Sequence, residues 1–320
     1  MARKSDSDIE TAISEIIQRD QSSPRTPGNL HLSELAKLRS AYLEKLGTEL
    51  NEAGLGLERL QKRYDEFRKE ADSLYGKLAA PDDRKPVELT ESDQASIANR
   101  KQVYELIGGR PLVTFPIVID APTAIYSIPS GSLLDSNIAS WNSWAKWRHN
   151  DKRDGSAFLF YDWEYAYIRF LFAWRNTSSE PAVVKRARAD LTVRGQLQAI
   201  AHPPFIGGVN TDVQLYANHR VHVGSSTLAR DNHYITGTVA FTEGWLMGGI
   251  GDFETVDFNR VKPVIFEDII VPPHQFAIFD VGLEATYKIQ IGEVNYIFTG
   301  PGRYLACPSL AIELSLVVKA

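Results

Sequence analysis

The longest amphipathic pattern in the chain covers residues 32–78, where apolar residues recur at alternating steps of four and three with Arg39 as the one interruption. This is the a/d spacing of a coiled coil. An unbroken helix of this length would extend about 70 Å at a rise of 1.5 Å per residue. We expect the seam to pack against an apolar partner, in the same chain or in another copy. The predicted helical interface consists of Leu46, Leu50, Leu57, Leu60, Tyr64, Phe67, Leu74 and Leu78, and Ala53 and Ala71 fill the remaining seam positions.

Glycines inside this segment, among them Gly47, Gly54 and Gly56, do not break its register. The helix is therefore either continuous, with glycines that let another backbone approach, or an antiparallel hairpin of residues 32–53 and 57–78. A parallel dimer would place Arg63 opposite Arg68 and is disfavoured. Antiparallel pairing, a trimer and packing within the chain all stay open.

Shorter helical patterns flank the seam. Residues 5–20 carry isoleucines at helical spacing, and an ordered helix there needs an apolar surface to cover them. Residues 21–29 contain two prolines and a glycine and are predicted to be a linker. A further helix is expected from Thr90 to about residue 107, ending at Gly108 and Gly109. The chain thus divides into residues 1–29, a helical stalk over 30–110, and residues 111–320. The isoleucines are Ile9, Ile13, Ile16 and Ile17.

From residue 112 the apolar period changes from about 3.6 to two, which is typical of β-strands. Strands are predicted near 112–119, 123–128, 157–174, 182–200, 212–224, 233–246, 253–258, 262–271, 275–291, 293–299 and 309–318. Helical patterns between them are absent, so a parallel sheet is excluded. The predicted fold class is α+β: a long helix or helical hairpin followed by an antiparallel β-sandwich, Ig-like or jelly-roll.

Two strands have informative faces. Residues 158–174 are rich in aromatic side chains on both faces, which predicts a central strand covered on both sides. The segment could instead form a sugar platform or a subunit interface. Residues 183–199 alternate between apolar positions, predicted to face inward, and polar positions predicted to face solvent. Three arginines on that polar side, Arg186, Arg188 and Arg194, are also candidates for binding a carboxylate.

Three tryptophans at every third position, Trp141, Trp144 and Trp147, are the strongest candidates for ligand contact. On one helical turn they would share a side, and in a loop they would form an exposed aromatic rim. With the neighbouring polar residues they would suit stacking and hydrogen bonding to a carbohydrate. A flap covering the sheet is the alternative.

Further candidates lie on and after the strand near 212–224. Its polar side carries Tyr216, Arg220 and His222, which we count as ligand or partner contacts. His219 lies on the apolar side, so the two histidines cannot bind one metal from a regular strand. Trp245 belongs to a glycine-rich tip over residues 244–251 that would fit a membrane or a partner pocket.

Composition narrows the functional classes. The net charge of −5 comes from nearly balanced acids and bases, which indicates no nucleic-acid partner and no general attraction to anionic membranes. The single cysteine, Cys307, is expected to be a buried apolar residue. No apolar run resembles a signal peptide or a membrane span, so we expect cytoplasmic synthesis and, for any extracellular role, release by a non-Sec route. Cofactor, metal and catalytic motifs are absent, so no enzyme is predicted.

Three functions follow from these patterns. The leading one is a non-enzymatic assembly or recognition protein, in which the helices oligomerise or pack and the sandwich binds. The first alternative is a lectin-like carbohydrate-binding module. The second is a pore-forming or membrane-disrupting protein, the only case in which a membrane would be a partner.

Overall fold

The computed structural model describes residues 3–22, 112–153, 163–204, 208–224, 226–243 and 251–317. Within these ranges one α-helix, α1 (Arg3–Ser22), and one short 3₁₀ helix (Ser130–Ser132) accompany thirteen strands. The strands are β1 (Leu112–Ile119), β2 (Ala124–Ile128), β3 (Leu133–Asn137), β4 (Trp144–Arg153), β5 (Glu164–Arg175), β6 (Ala182–Ala201), β7 (Gly208–Val223), β8 (Ser226–Glu243), β9 (Asp252–Val271), β10 (Phe276–Ile289), β11 (Gly292–Phe298), β12 (Tyr304–Ala306) and β13 (Leu310–Val317).

The strands form two sheets that face each other across one core. The eight-stranded sheet has the order β1-β13-β6-β11-β4-β12, with β9 on the other side of β6 and β3 beside β4. The five-stranded sheet has the order β2-β5-β10-β7-β8. The pairings between the described strands are antiparallel. The predicted antiparallel β-sandwich is therefore confirmed.

Strand β6 spans the eight-stranded sheet and shows how alternation builds the core. Leu191, Val193 and Leu197 are fully buried between the sheets, whereas the side chains between them are half-buried or exposed on the outer face. The predicted inward and outward faces of this strand are confirmed. The polar row includes the three arginines, so they all lie on the outer face.

Strand β5 is covered on both faces, as its aromatic sequence predicts. Phe170 and Phe172 point into the core between the sheets, while Leu171 points to the other side and is equally buried. The second cover is helix α1. Its isoleucines Ile13 and Ile16 pack against Leu171 and against apolar side chains of β2 and β10. The helix thus meets the apolar surface that its isoleucine spacing requires.

The strand prediction needs correction at three places. Strands β3 and β4 were not predicted, because the polar and tryptophan-rich sequence of residues 133–153 lacks a clean alternation. The three-residue strand β12 was not predicted either. Residues 253–258 and 262–271, predicted as two strands, form the single strand β9. Pro263 fits inside β9 because, in the described part of the chain, β9 pairs with β6 alone and its other edge needs no N–H donor.

Several predictions concern residues outside the described ranges. These are the heptad seam of residues 32–78 with its hairpin alternative, the linker, the helix near 90–107, and Trp245 with its glycine-rich tip. They stay predictions. Among the described residues, no helix combines the length and the apolar character that crossing a membrane requires.

Candidate functional site

The tryptophans at 141, 144 and 147 do not form one surface. Trp144 and Trp147 lie on strand β4, three residues apart, so their side chains point to opposite faces of the sheet. Trp147 is 0% exposed, and its ring centroid lies 5.5 Å from that of Phe298 in the core. The prediction that Trp147 contacts a ligand is therefore wrong, because the segment is a strand and not a helical turn or a rim.

Trp141 is exposed in the turn before β4. Its side chain is 61% exposed, and its backbone has φ 58, an uncommon conformation outside glycine. The Trp141 N–H donates to the carbonyl of Asp120 at 2.6 Å, which holds the turn against the end of β1. Trp141 thus keeps the exposure that a ligand contact needs.

Trp144 lies on the outer face of the eight-stranded sheet in an aromatic–cation cluster with Lys146, Arg194 and Tyr304. The Lys146 ammonium lies 5.3 Å from the Trp144 ring centroid, and the Arg194 guanidinium lies 5.3 Å from the Tyr304 ring centroid. Strand β12 places the two rings on neighbouring strands, because Ala306 pairs with Trp144 and Tyr304, two positions before Ala306, pairs with Arg194 on its other side. Such diagonal positions are roughly 7–8 Å apart.

An amide–carboxylate ladder continues the outer face along β6. The Gln198 amide donates to the Gln196 carbonyl oxygen at 2.8 Å, and the Gln196 amide donates to Asp257 at 3.1 Å. Arg303, next to Tyr304, donates to the same Asp257 oxygen at 3.1 Å. The ladder leaves further lone pairs and N–H groups of these side chains directed away from the sheet.

A third polar group lies farther along the same face. The Asn150 amide donates to Glu293 at 2.7 Å and to Asn295 at 2.9 Å, and Asn295 donates to Glu293 at 2.8 Å. This face therefore carries aromatic rings at one place and preordered amides and carboxylates over most of its length.

Tyr216 lies on the other sheet and not with the tryptophans. Its hydroxyl donates to Gln214 at 2.6 Å, and its ring meets the Tyr234 ring edge-on at a centroid distance of 5.6 Å. Burial raises the pKa of Tyr216 above its ordinary value. Nothing in this geometry connects Tyr216 with Trp144.

Arg220 is half-buried where Asp20 of α1 packs against it, and His222 is buried two positions along the same strand. The Arg220 guanidinium donates to Asp280 at 2.6 Å and to Asp20 of the helix at 2.6 and 3.1 Å. His222 is 3% exposed, and its Nδ1 lies 2.9 Å from the Thr227 hydroxyl. The prediction that Arg220 and His222 contact an external ligand is wrong, because a helix from the start of the chain covers this part of their strand.

The charges beneath α1 are set by their ion pairs. Burial alone would raise the pKa of Asp280, but Arg220 and Arg169 outweigh it and hold the pKa below its ordinary value. Burial, helped by the nearby Arg220, lowers the pKa of His222 although Asp280 opposes the shift, so the imidazole is favoured in its neutral form. This network stabilises the helix-to-sheet contact and holds fixed charges in place.

The described residues provide no group of three or more histidines, cysteines or carboxylates arranged to bind a metal. His219 is a core residue whose ring meets Phe266 edge-on at 4.9 Å. Cys307 is fully buried, and burial raises the pKa of its thiol well above the ordinary value, which keeps it protonated and unreactive.

Two site residues could not be found by reading the sequence. Tyr304 joins Trp144 only through the three-residue strand β12, whose register no local pattern predicts. Asp20 binds Arg220 across 200 positions of the chain. The available signals were weak: an isolated aromatic residue beside Arg303, and one acidic residue near the end of an amphipathic helix.

Comparison with known proteins adds little. No protein-family model matches the sequence, and no curated protein is significantly similar to it. A structure of carbohydrate-binding modules from the β-sandwich superfamily is 10% identical with a TM-score of 0.18; the alignment covers 61% of this chain and 56% of that one.

Two further structures are similarly distant. TmCBM61, solved in complex with β-1,4-galactotriose, is 8% identical with a TM-score of 0.17, over 66% of this chain and 93% of that one. Dimeric latent PorU from Porphyromonas gingivalis is 8% identical with a TM-score of 0.14, over 55% of this chain and 13% of that one. Similarity at this level assigns no ligand to this chain.

Proposed function

We propose that this protein acts by binding, without catalysis, and that the outer face of its eight-stranded sheet recognises a carbohydrate. One observation carries the proposal: the rings of Trp144 and Tyr304 lie on the same sheet face as the amide–carboxylate ladder. A sugar presents an apolar face of C–H groups, which stacks on aromatic rings, and a rim of hydroxyls, which need both donors and acceptors. Amide side chains supply both.

The strand order supports a binding role in a second way. We infer that the sandwich is a jelly roll and not an Ig-like domain, because strands β1-β13-β6-β9 face strands β5-β10-β7-β8. Jelly rolls form lectin and viral capsid domains, both of which act through surface contact. Fold alone does not assign a function, so the outer-face geometry carries the argument.

The experiment is affinity electrophoresis of the full chain through gels containing soluble neutral polysaccharides, among them β-1,4-galactan and xyloglucan. We expect retardation of the wild-type protein by at least one of them. Removing either ring, by Trp144→Ala or Tyr304→Ala, should weaken binding about fivefold to tenfold, as expected for one aromatic stacking contact.

Tyr234→Ala is the matched control, because Tyr234 is also an exposed aromatic residue but lies on the opposite sheet. Binding should be unchanged in this variant. Loss of binding in Tyr234→Ala, with retention in the Trp144 and Tyr304 variants, would place the site on the other sheet. No retardation of the wild-type protein by any glycan would contradict the proposal.

A second function, assembly between copies of the chain, is favoured by exposed apolar residues at the adjoining edges of the two sheets. Phe241 of β8 is 52% exposed and Phe253 of β9 is 55% exposed. Their backbone N–H groups donate to the two carboxylate oxygens of Asp252, at 2.8 and 2.9 Å, so the two rings project from neighbouring backbone positions. Paired exposed phenylalanines of this kind are typical of protein contacts.

A further inference from the structure

An open groove lies at the other end of the outer face, across strands β1, β13 and β6. Its volume is about 460 Å³, which is in the range of small-molecule sites. Pro116 and Ala311 are its exposed apolar residues, whereas the side chains of Phe115 and Ile312 pack into the core beneath it. Arg186 and Glu313 lie at its polar side. Apart from Arg186, none of these residues was a site candidate from the sequence.

The two arginines that line the groove differ in their ion pairs. Arg188 is engaged by Asp190, to which it donates from its side-chain nitrogens at 2.9 and 3.0 Å. Arg186 has no carboxylate within 4 Å among the described residues, although Glu313 and Glu267 occupy the paired positions on both neighbouring strands. The guanidinium of Arg186 therefore offers its donors to the groove.

The strand pairing accounts for the missing contact with Glu313. The register of β13 with β6 shifts between Glu313 and Leu314, directly beside Arg186. A register shift of this kind re-aims side chains and bends the strand. The result is a cation and a carboxylate that are neighbours in the pairing but do not form an ion pair.

We propose that this groove binds an amphipathic monocarboxylate. Its carboxylate accepts paired hydrogen bonds from Arg186, and its apolar body lies against Pro116 and Ala311. A planar guanidinium suits a carboxylate because two parallel N–H groups match its two oxygens. Glu313 disfavours ligands of higher negative charge, since it would lie beside them. This groove lies on the same outer face as the proposed carbohydrate site but at its other end, and it does not depend on that site.

The test is isothermal titration of the full chain with octanoate and with octanamide, which has the same length but no charge. We expect octanoate to bind at least tenfold more tightly, because a charged hydrogen-bonded pair is lost with the amide. Arg186→Gln should reduce octanoate affinity to the level of octanamide. Glu313→Gln should strengthen octanoate binding by removing a neighbouring negative charge.

Arg148→Gln is the matched control, since Arg148 is an exposed arginine on strand β4 outside the groove. Its octanoate affinity should equal that of the wild type. Equal binding of octanoate and octanamide, no saturable binding of octanoate, or unchanged affinity in Arg186→Gln would each overturn the proposal. Arg186→Gln should still be retarded by polysaccharide, so the outcome is independent of the carbohydrate experiment.

Discussion

Asp20 is the residue that fastens helix α1 to the five-stranded sheet. Its carboxylate accepts two hydrogen bonds from Arg220 and one from the Tyr126 hydroxyl at 2.7 Å, and the residue is only 6% exposed. A hydrogen bond to a charged group contributes roughly 1.5–3 kcal/mol when it is formed in a buried place. The apolar contacts of α1 stabilise its packing on the sheet, and the hydrogen bonds of Asp20 fix its position there.

Replacing this carboxylate by an amide should destabilise the fold. We expect Asp20→Asn to lower the free energy of unfolding by about 1–3 kcal/mol, because Arg220 loses one of its two carboxylates but keeps Asp280. Urea denaturation followed by circular dichroism measures this. The control is Asp8→Asn, since Asp8 of the same helix forms an exposed ion pair with Arg175 at 3.6 Å and should change stability by less than about 0.5 kcal/mol.

The effect of Asp20→Asn should depend on pH. Burial alone would raise the pKa of Asp20, but its contacts with Arg220 lower it below the ordinary value. The stabilisation is therefore fully present above the unfolded pKa of about 4 and is lost as the pH falls through the folded pKa. The difference between wild type and Asp20→Asn should be largest near pH 7 and smaller near pH 3. An equal difference at both values would contradict the assignment.

Strand β10 shows how one element makes room for a buried ion pair. Arg169 of β5 is almost completely buried, and its two guanidinium nitrogens lie 3.7 Å from Asp280 and 3.7 Å from Glu284 of β10. Between these carboxylates β10 has Gly282, which pairs directly with Arg169. The side chain of Arg169 occupies the space that a residue other than glycine would need.

Adding a single methyl group at this position should therefore be costly. A Cβ atom at position 282 would lie 2.5 Å from Cδ of Arg169 and 2.6 Å from the backbone oxygen of Ile168. We expect Gly282→Ala to lower the free energy of unfolding by about 1–3 kcal/mol, as overpacked sites do. Gly131→Ala is the control, because a Cβ there meets no atom within 4 Å. Equal thermal stability of the two variants would contradict this prediction, because it would show that the Arg169 side chain can move aside without a loss of stability.

At the scale of the whole molecule the open question is whether copies of the chain associate. We expect sedimentation velocity at about 10 µM to show a species larger than a monomer, since the exposed phenylalanines at the sheet edges are typical of contact surfaces. The double substitution Phe241→Lys and Phe253→Lys should shift the protein toward the monomer. Leu134→Lys, at an exposed leucine of β3, should leave the distribution unchanged.

The outcomes separate two routes to assembly. An oligomer that resists the double substitution would move the contact to another surface, for which the heptad seam of residues 32–78 is the candidate. A compact wild-type monomer would contradict assembly by either route. Carbohydrate binding does not require a particular oligomeric state, so it is tested by the affinity electrophoresis alone.

The sequence alone determined which residues of the strands point inward. The alternation in β6 predicted the buried positions Leu191, Val193 and Leu197, and the isoleucine spacing predicted an amphipathic helix near the start of the chain. These properties follow from local geometry, because side chains alternate on a strand and repeat every 3.6 residues on a helix. The antiparallel sandwich follows from the same local signals taken in series.

Only the tertiary structure decided which polar faces are covered and which side chains meet. Tyr216 and Arg220 lie on the same side of β7. Arg220 nevertheless binds Asp20 of helix α1, which lies 200 residues earlier in the chain. Trp144 and Tyr304 come together through strand pairing across about 160 residues. The alternation of a strand predicts on which face a side chain lies. The contacts that the side chain makes there depend on elements distant in sequence. The candidate site therefore could not be predicted from the sequence. The strands of the sandwich other than β3, β4 and β12 could be predicted from it.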